Sequence, residues 1–505
     1  MAAVVTDQFR ILNAGNFVDS ISNDSYYVFL GLSNPTESGF GRQNPWNTNV
    51  PNPVDNQQYI SHYSSTSLFG KKVTSSNVRR VVRRINWASN TSFDMYRHDY
   101  SSNNPSPIAR ATRLYDAKYY VINSDFRVYI CIDNGSSGTN VSGNRSLYEP
   151  TSTGTAPFQA GPVDDGYRWK YLFTVSPSDI IKFDSTEYIA VPNDWATTTN
   201  SDIQVIRDGG NSTVSNPNQI RKVYIEDGGS GYTSGTYDIL GDGDGAKVSI
   251  TATNGIITSA IVTDGGYGYT YGFVNLGGSS DPAKLIPIIP PSKGHGYDIY
   301  KELGADKVLI YARFDDSTKE FPTDTSFAQV GIVKNPEQFS GVGITFTENS
   351  FSSLYAARLT TSPTITIGDE MTQDQGSGVI AKGYVASFDT ETQVLKYFQD
   401  RSLSFGNDED QTDSNLSSKI NAFVSGSQIT IGTGGGAVGV TVDTTLNENY
   451  IIIDNKKIDL GVTFSSGLAN PEINKKTGDI IYIDNRPIVT RSERQKEDIK
   501  IILEF

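Results

Sequence analysis

The chain has 505 residues, enough for about three domains, and its 47 Gly and 21 Pro sit near the globular average, which excludes collagen-like and wholly disordered classes. Its 42 Lys and Arg stand against 56 Asp and Glu, a net charge of −14 that argues against a general binder of nucleic acid or anionic membrane, because such binding rests on cations neutralising phosphate. With 28 Tyr and only 19% charged residues, the composition favours sheets and interfaces, since Tyr couples wide contact area to one polar tip.

The opening Met1-Ala2-Ala3-Val4-Val5-Thr6-Asp7 lacks a basic region and a long apolar stretch, so no signal peptide is expected. The longest apolar run, Leu285–Ile289, is broken by Pro287, and no membrane insertion is expected. Phe9, Leu12, Phe17 and Ile21 predict one face of a helix, followed by a buried strand over Tyr26–Leu30. Asn52–Leu68 holds a second helix candidate, and Val78–Arg84 is basic.

A β-rich stretch runs from Tyr119 to Pro192. Tyr119–Ile122 and Val128–Ile132 flank Asn123-Ser124-Asp125, a hairpin turn signal. Gly135–Gly161 is a loop rich in Gly, Ser, Thr and Asn. Tyr167, Trp169, Tyr171 and Phe173 alternate with other residues, which predicts four aromatics on one sheet face. Ser176-Pro177 opens a short helix, and Glu187–Pro192 is a further strand.

Between Arg221 and Gly278 the chain repeats itself. Val223–Thr233, containing Asp227-Gly228-Gly229-Ser230-Gly231-Tyr232, returns 37 residues later as Ile261–Thr270, with Asp264-Gly265-Gly266-Tyr267-Gly268-Tyr269. Asn254-Gly255 between the copies is a strong hairpin signal. The glycines suit left-handed turns that the tyrosines cover. Two copies are too few for a solenoid. Beyond the proline-rich joint Leu285–Ser292, Gly294–Asp298 leads into a short helix ending near Gly304, then the strand Val308–Phe314. From Ser340 to Asp459 strands alternate with Gly and Asn turns, interrupted by the acidic Asn407–Ser418, a loop or helix start. Two strands, Asp479–Asp484 and Ile499–Phe505, flank the charged Arg491–Lys500.

The search for chemistry identifies no catalytic residue, cofactor site or metal site. The histidines are His62, His98 and His295, without zinc-protease spacing. His295, between two glycines, reads either as a ligand approach or as a tight turn before the next helix. Gly434, Gly436 and Gly439 match a dinucleotide fingerprint, but the residues after them read as a strand instead of the required helix. No P-loop or nucleophile elbow is present. Gly241–Gly245 offers two aspartates without the rest of a calcium loop. Asp164-Asp165 and Asp315-Asp316 are adjacent acids, and adjacency does not establish the separation glycoside hydrolysis needs. The single cysteine, Cys131, excludes an intrachain disulfide and a Cys-based zinc site, leaves the redox compartment open, and reads as a buried strand residue. Arg79, Arg80, Arg83 and Arg84 form the dense basic cluster, which suits carboxylate pairing with an acidic partner better than nucleic-acid contact. They are the candidate subunit-contact residues.

Several segments taken in order carry a resemblance. They are Val5–Arg10, Tyr27–Leu30, Val82–Trp87, Gly166–Phe173, Glu187–Pro192 and Gly478–Pro487. Together they resemble the gene-product-eight family of baseplate wedge proteins from T-even-type contractile-tail bacteriophages. The resemblance implies a mainly β, multi-domain β-sandwich protein with few short helices. In it a central domain is inserted into one built from both chain ends. The terminal domain would take 1–88, 293–337 and 461–505, and the inserted domain 89–200. The resemblance offers nothing for the Gly/Tyr-repeat insertion 201–292 or the β-rich insertion 338–460, which place the chain nearest a long form of the family. It further implies a homodimer bound to other wedge subunits, without catalysis, located in the virion tail baseplate and assembled in the host cytoplasm. Tail fibres are a further partner that the two insertions could reach. The competing expectations are a tail-associated carbohydrate-binding module built on the repeat, and a glycan hydrolase using paired carboxylates.

Overall fold

A computed structural model describes residues 5–33, 46, 48–207, 219–315, 326–399, 421–475, 477–490 and 495–505. Asn407–Ser418, Asp316 and residues 491–494 of the charged C-terminal stretch lie outside the described residues. The protein is mainly β, with many antiparallel strand pairs and five short α-helices among the described residues. It divides into two compact units. One comprises Met1–Val18, Arg79–Leu309 and Ile502–Phe505, the other Asp19–Val78 and Ile310–Ile501.

In the first unit, the strands Tyr120–Ile122, Arg127–Asn134 and Tyr167–Thr174 form an antiparallel sheet in chain order. The turn between the first two forms because Asn123 Oδ1 accepts from the backbone N–H of Asp125 at 3.0 Å and of Arg127 at 2.8 Å, the local bonding that makes Asn a turn former. The third strand departs from the alternation that its aromatics predict. Its register slips between Val128 and Tyr129 and again between Cys131 and Asp133. Such bulges re-aim side chains, so Lys170 is buried at 1% exposure while Tyr171 is half-buried, and Tyr167, Trp169 and Phe173 are buried. Trp169, Tyr119, Tyr129 and Tyr167 are fully enclosed at the centre of this unit's largest core. The strand Val78–Arg83 pairs with Tyr188–Val191. Between the Tyr167–Thr174 and Tyr188–Val191 strands lies the helix Pro177–Phe183, capped by Ser176 Oγ, which accepts from Asp179 N at 3.1 Å.

The N-terminal helix, Asp7–Ser20, forms as predicted but buries a different face. Ile11 and Ala14 are buried, whereas Phe9 and Leu12 are 53% and 59% exposed. Among the four predicted face residues only Ile21 is buried and Phe17 half-buried.

The repeat builds its own small sheet, ordered Ile256–Asp264, Lys247–Thr253, Gly235–Gly241, Gly272–Val274, beside the pair Val223–Asp227 and Lys284–Pro287. Asn254 and Gly255 both adopt positive φ, 53° and 83°, the backbone of a tight hairpin turn. The two copies fold alike. Asp227 Oδ1 accepts from Gly229 N at 2.9 Å and Asp264 Oδ1 from Gly266 N at 3.0 Å. Gly229 and Gly266 sit at φ of 55° and 57°. A Cβ at Gly229 would lie 2.5 Å from Ala283 N, and one at Gly266 2.5 Å from Asp244 O. Tyr232 and Tyr269 are buried, and their hydroxyls accept from the backbone N–H of Ala283 at 2.9 Å and Ala246 at 3.2 Å. The repeat is therefore a turn-plus-tyrosine staple used twice around one core.

The second unit holds a five-stranded sheet ordered Ser350–Ser352, Ser67–Val73, Tyr26–Gly31, Phe327–Lys334, Asp479–Val489, with Tyr26–Gly31 buried along its whole length. It also holds a seven-stranded sheet formed by strands between Tyr355 and Ala469. Gly434–Gly436 forms a single short turn before the strand Val438–Val440, which is not the helix a dinucleotide site needs. Gln57–Thr66 is the helix expected within Asn52–Leu68.

Candidate functional site

The basic strand leads to a highly charged concavity of the first unit. Each of its four arginines has a partner within that unit. Arg79 Nε lies 3.0 Å from Asp179 Oδ1, and its guanidinium is 5.3 Å from the Phe183 ring centroid. Arg80 stacks on Tyr300 at 3.2 Å from the ring centroid. Arg83 Nη2 donates to the carbonyls of Asp116 at 3.0 Å and Ala117 at 2.9 Å. Arg84 pairs with Asp184 through Nη1, and its Nε donates to Asn86 Oδ1 at 2.8 Å. Arg83 is exposed and the other three are half-buried. Arg79 and Arg80 thus fasten the strand to the helices Pro177–Phe183 and Ile299–Leu303.

Arg83 and Arg84 also line a cleft of about 430 Å³ that includes residues from both ends of the chain. It gathers five cations, Arg10, Arg83, Arg84, Arg113 and Lys307, and five carboxylates, Asp7, Asp116, Glu187, Asp306 and Glu504. Arg113 reaches Asp7 Oδ1 at 3.1 Å and grips Asp116 with two hydrogen bonds of 3.0 and 3.2 Å. The Asp116 bonds raise its pKa further. Lys307 Nζ lies 2.7 Å from Glu504 Oε1 and 3.2 Å from Asp306 Oδ1. Burial pulls the Lys307 ammonium down, yet the two acids outweigh it and raise its pKa, while Glu504 is held below the usual carboxylate range by Lys307. Tyr115, its hydroxyl donating to Lys301 O at 2.7 Å, is pushed up to about 12 by burial. Such a surface offers alternating charge, suited to a polar partner surface.

The basic run was legible in the sequence, whereas Arg10, Arg113, Lys307 and Glu504 were not, because they lie hundreds of residues apart and belong to no local pattern. A second cluster was only half visible. His295 Nδ1 lies 2.5 Å from Glu302 Oε1, Gly296 N donates to Glu302 Oε2 at 2.6 Å, and Tyr96 meets the imidazole edge-on at 4.7 Å. All of this is buried. It is the tight turn before the helix Ile299–Leu303, whose cap is Asp298. Nearby, Lys170 Nζ donates to Thr155 O at 2.9 Å.

The remaining candidates are engaged locally. Asp242 accepts from Thr270 N at 2.9 Å and Tyr271 N at 3.2 Å, and the Thr270 bonds hold its pKa near 2. Asp164 is held near 2 by Arg168, and Asp165 accepts from the backbone of Leu147 and Tyr167. Asp315 pairs with Lys496 at 3.2 Å. His98 Nδ1 accepts from Ile289 N at 3.1 Å. Burial raises the Cys131 thiol well above its usual value, away from reactive thiolate character. Among the described residues no three His, Cys, Asp or Glu gather as metal ligands, and no helix is long and apolar enough to cross a membrane.

One known protein gives these observations a direction. The chain is similar to the baseplate wedge protein gp8 of Enterobacteria phage T4. The two are 27% identical over 213 residues, which is 38% of this chain and 60% of the phage protein. No family model matches the chain.

Proposed function

We propose that the chain is a structural component of a phage contractile-tail baseplate wedge, an adaptor that binds neighbouring wedge subunits and keeps wedge geometry through the baseplate's change of shape. The observation that carries this reading is the likeness to the T4 wedge protein. The mainly β architecture and the engagement of the candidate acids in local turns and ion pairs support a role in packing. The proposal includes a homodimer, the commonest closed assembly, contacts to other wedge proteins and to tail fibres, no catalytic activity, and a place in the virion tail baseplate after assembly in the host cytoplasm. It retains the expected organisation, with 89–200 inserted into a domain of 1–88, 293–337 and 461–505. The stretches 201–292 and 338–460 are additions that enlarge contacts.

Of the four arginines, Arg83 is the contact we favour, because it is exposed and stands at the charged cleft. The variant Arg83→Glu, assayed for co-assembly with the wedge subunits of the same phage, is expected to weaken co-assembly at least tenfold while circular dichroism stays unchanged. Co-assembly equal to wild type removes Arg83 from the interface. Failure of the wild-type chain to enter any wedge contradicts the function itself.

A further inference from the structure

A second cleft in the first unit, of about 810 Å³, lies between the segment 132–168 and the repeat module. Its repeat-module wall is firmly fixed. Residues 219–228 run along the strand Ile256–Asp264 and are bonded to that stretch of chain at both ends. Ile257 N donates to Gly228 O at 3.0 Å, Ile220 N to Gly265 O at 2.9 Å and Gln219 N to Gly266 O at 3.0 Å. Ile288 N donates to Lys222 O at 2.9 Å, and Gly138 N to Ile225 O at 2.9 Å ties the opposite wall to the same segment. The backbone on both sides of Arg221 is therefore held, and this cleft-lining side chain springs from a rigid base.

The other charges that line the cleft are paired within it. Lys222 is paired with Asp133, and Arg168 grips Asp164 with hydrogen bonds of 2.8 and 2.7 Å. Arg221 differs. Among the described residues, no acceptor lies within hydrogen-bond distance of its half-buried guanidinium, and burial alone shifts its pKa downward, with no acid opposing it. A second cation stands close by. Lys170, 1% exposed, donates to Thr155 O at 2.9 Å, two residues from the cleft-lining Pro157. An ammonium carries three donors, and among the described residues this carbonyl is the one acceptor Lys170 meets. Burial lowers the Lys170 pKa, Glu302 opposes that, and the Arg221 charge lowers it again, so the two cations feel each other. Glu302 already gives its two oxygens to His295 Nδ1 and Gly296 N. Two desolvated like charges with unfilled donors are a cost that a bound anion offsets with charge-assisted hydrogen bonds.

We infer that this cleft binds a phosphate monoester, whose oxygens accept from the Arg221 guanidinium while the Lys170 ammonium supplies the second positive charge. Such a group carries about −1.5 to −2 charge at pH 7 and three acceptor oxygens, which matches two cations and their free donors better than a carboxylate does. The cleft falls within the size of about 300–1,000 Å³ typical of small-molecule sites, so it has room for the body that carries the phosphate. A sugar phosphate and a phosphorylated side chain present the same group. The inference does not depend on the baseplate reading.

The test is isothermal titration calorimetry on the purified full-length chain, with inorganic phosphate, glucose 6-phosphate, a short phosphoserine peptide and acetate as probes. The expected result is saturable binding of phosphate and tighter binding of one of the two esters, the tighter one naming the source. Arg221→Gln should weaken phosphate binding about tenfold and Lys170→Met about threefold, with circular dichroism unchanged. At about pH 8.5 the bound anion should draw a proton onto Lys170, read as a heat that varies with the buffer's ionisation enthalpy and is lost in Lys170→Met. If one variant misfolds, the other decides. Absence of saturable phosphate binding, undiminished affinity in Arg221→Gln, or no proton uptake that depends on Lys170 overturns the inference. Exclusion of both esters overturns it in favour of a bare ion site, and acetate binding as tightly as phosphate overturns it in favour of a carboxylate ligand.

Discussion

At the scale of single residues, the charged side chains of the first unit are mostly fasteners. Arg80 on Tyr300 joins residues 220 positions apart in sequence. Arg80→Ala should therefore cost about 1–2 kcal/mol in urea unfolding, the range for a partly desolvated cation–π contact. A change below about 0.3 kcal/mol would show the stacking to be incidental. Lys170 makes an opposite contribution. Burial pulls its pKa from 10.5 down to about 8. The unfolded chain then binds the proton more tightly than the folded one, so stability rises as pH climbs from about 8 to 10.5. Below that window the buried charge is a standing cost. Lys170→Met removes it, so the variant's advantage over wild type should be greatest at pH 7 and shrink by about 3 kcal/mol towards pH 10.5. Unfolding measured at both pH values checks this, and a pH-independent difference contradicts it. The arginine run was visible as a run, but its partners Asp179, Asp184 and Tyr300 were not, because side-chain pairing across a fold leaves no local pattern. Lys170 was hidden by its place among aromatics, where alternation predicts an outward residue until a bulge intervenes.

At the scale of elements, legibility followed the strength of local backbone chemistry. Asn123-Ser124-Asp125 and Asn254-Gly255 were readable because each turn is dictated by its own residues. The repeat was readable because its Asp, Gly and Tyr positions do the same work twice. The face of the N-terminal helix was not, since Phe9 and Leu12 are apolar yet exposed and the buried positions are Ile11 and Ala14. Periodicity names an apolar stripe but not what meets it. The repeat gives a controlled prediction. Gly266→Ala forces a side chain into a left-handed position 2.5 Å from Asp244 O and should cost about 2 kcal/mol or more. Gly435→Ala, with open space around it, should stay within about 0.5 kcal/mol. Calorimetric melting of the two variants separates them, and equal effects would refute the staple as a strained turn.

At the scale of the whole molecule, the described parts of both chain termini belong to the first unit. Phe17 and Phe505 bring their rings to 5.6 Å, and Glu504 holds Lys307 at 2.7 Å. Deleting residues 502–505 should therefore destabilise that unit by about 1–3 kcal/mol, since it removes a ring contact and an ion pair together. Protease resistance of the 79–309 segment reports it, and undiminished resistance would contradict the closure of the chain on itself. The mainly β class was legible from Tyr, Val, Ile and Thr in short runs between Gly and Asn turns. The assembly of the first unit from Met1–Val18, Arg79–Leu309 and Ile502–Phe505 was not legible in composition or periodicity, since nothing local records which distant strands pair; a domain joining both chain ends came only as what the resemblance implies. The baseplate account is tested most directly by a density map of the tail end of the particle that carries this chain. It predicts paired copies seated in every wedge, with the Arg83 cleft against a neighbouring subunit. A baseplate without the chain, or the chain found elsewhere in the particle, would contradict it.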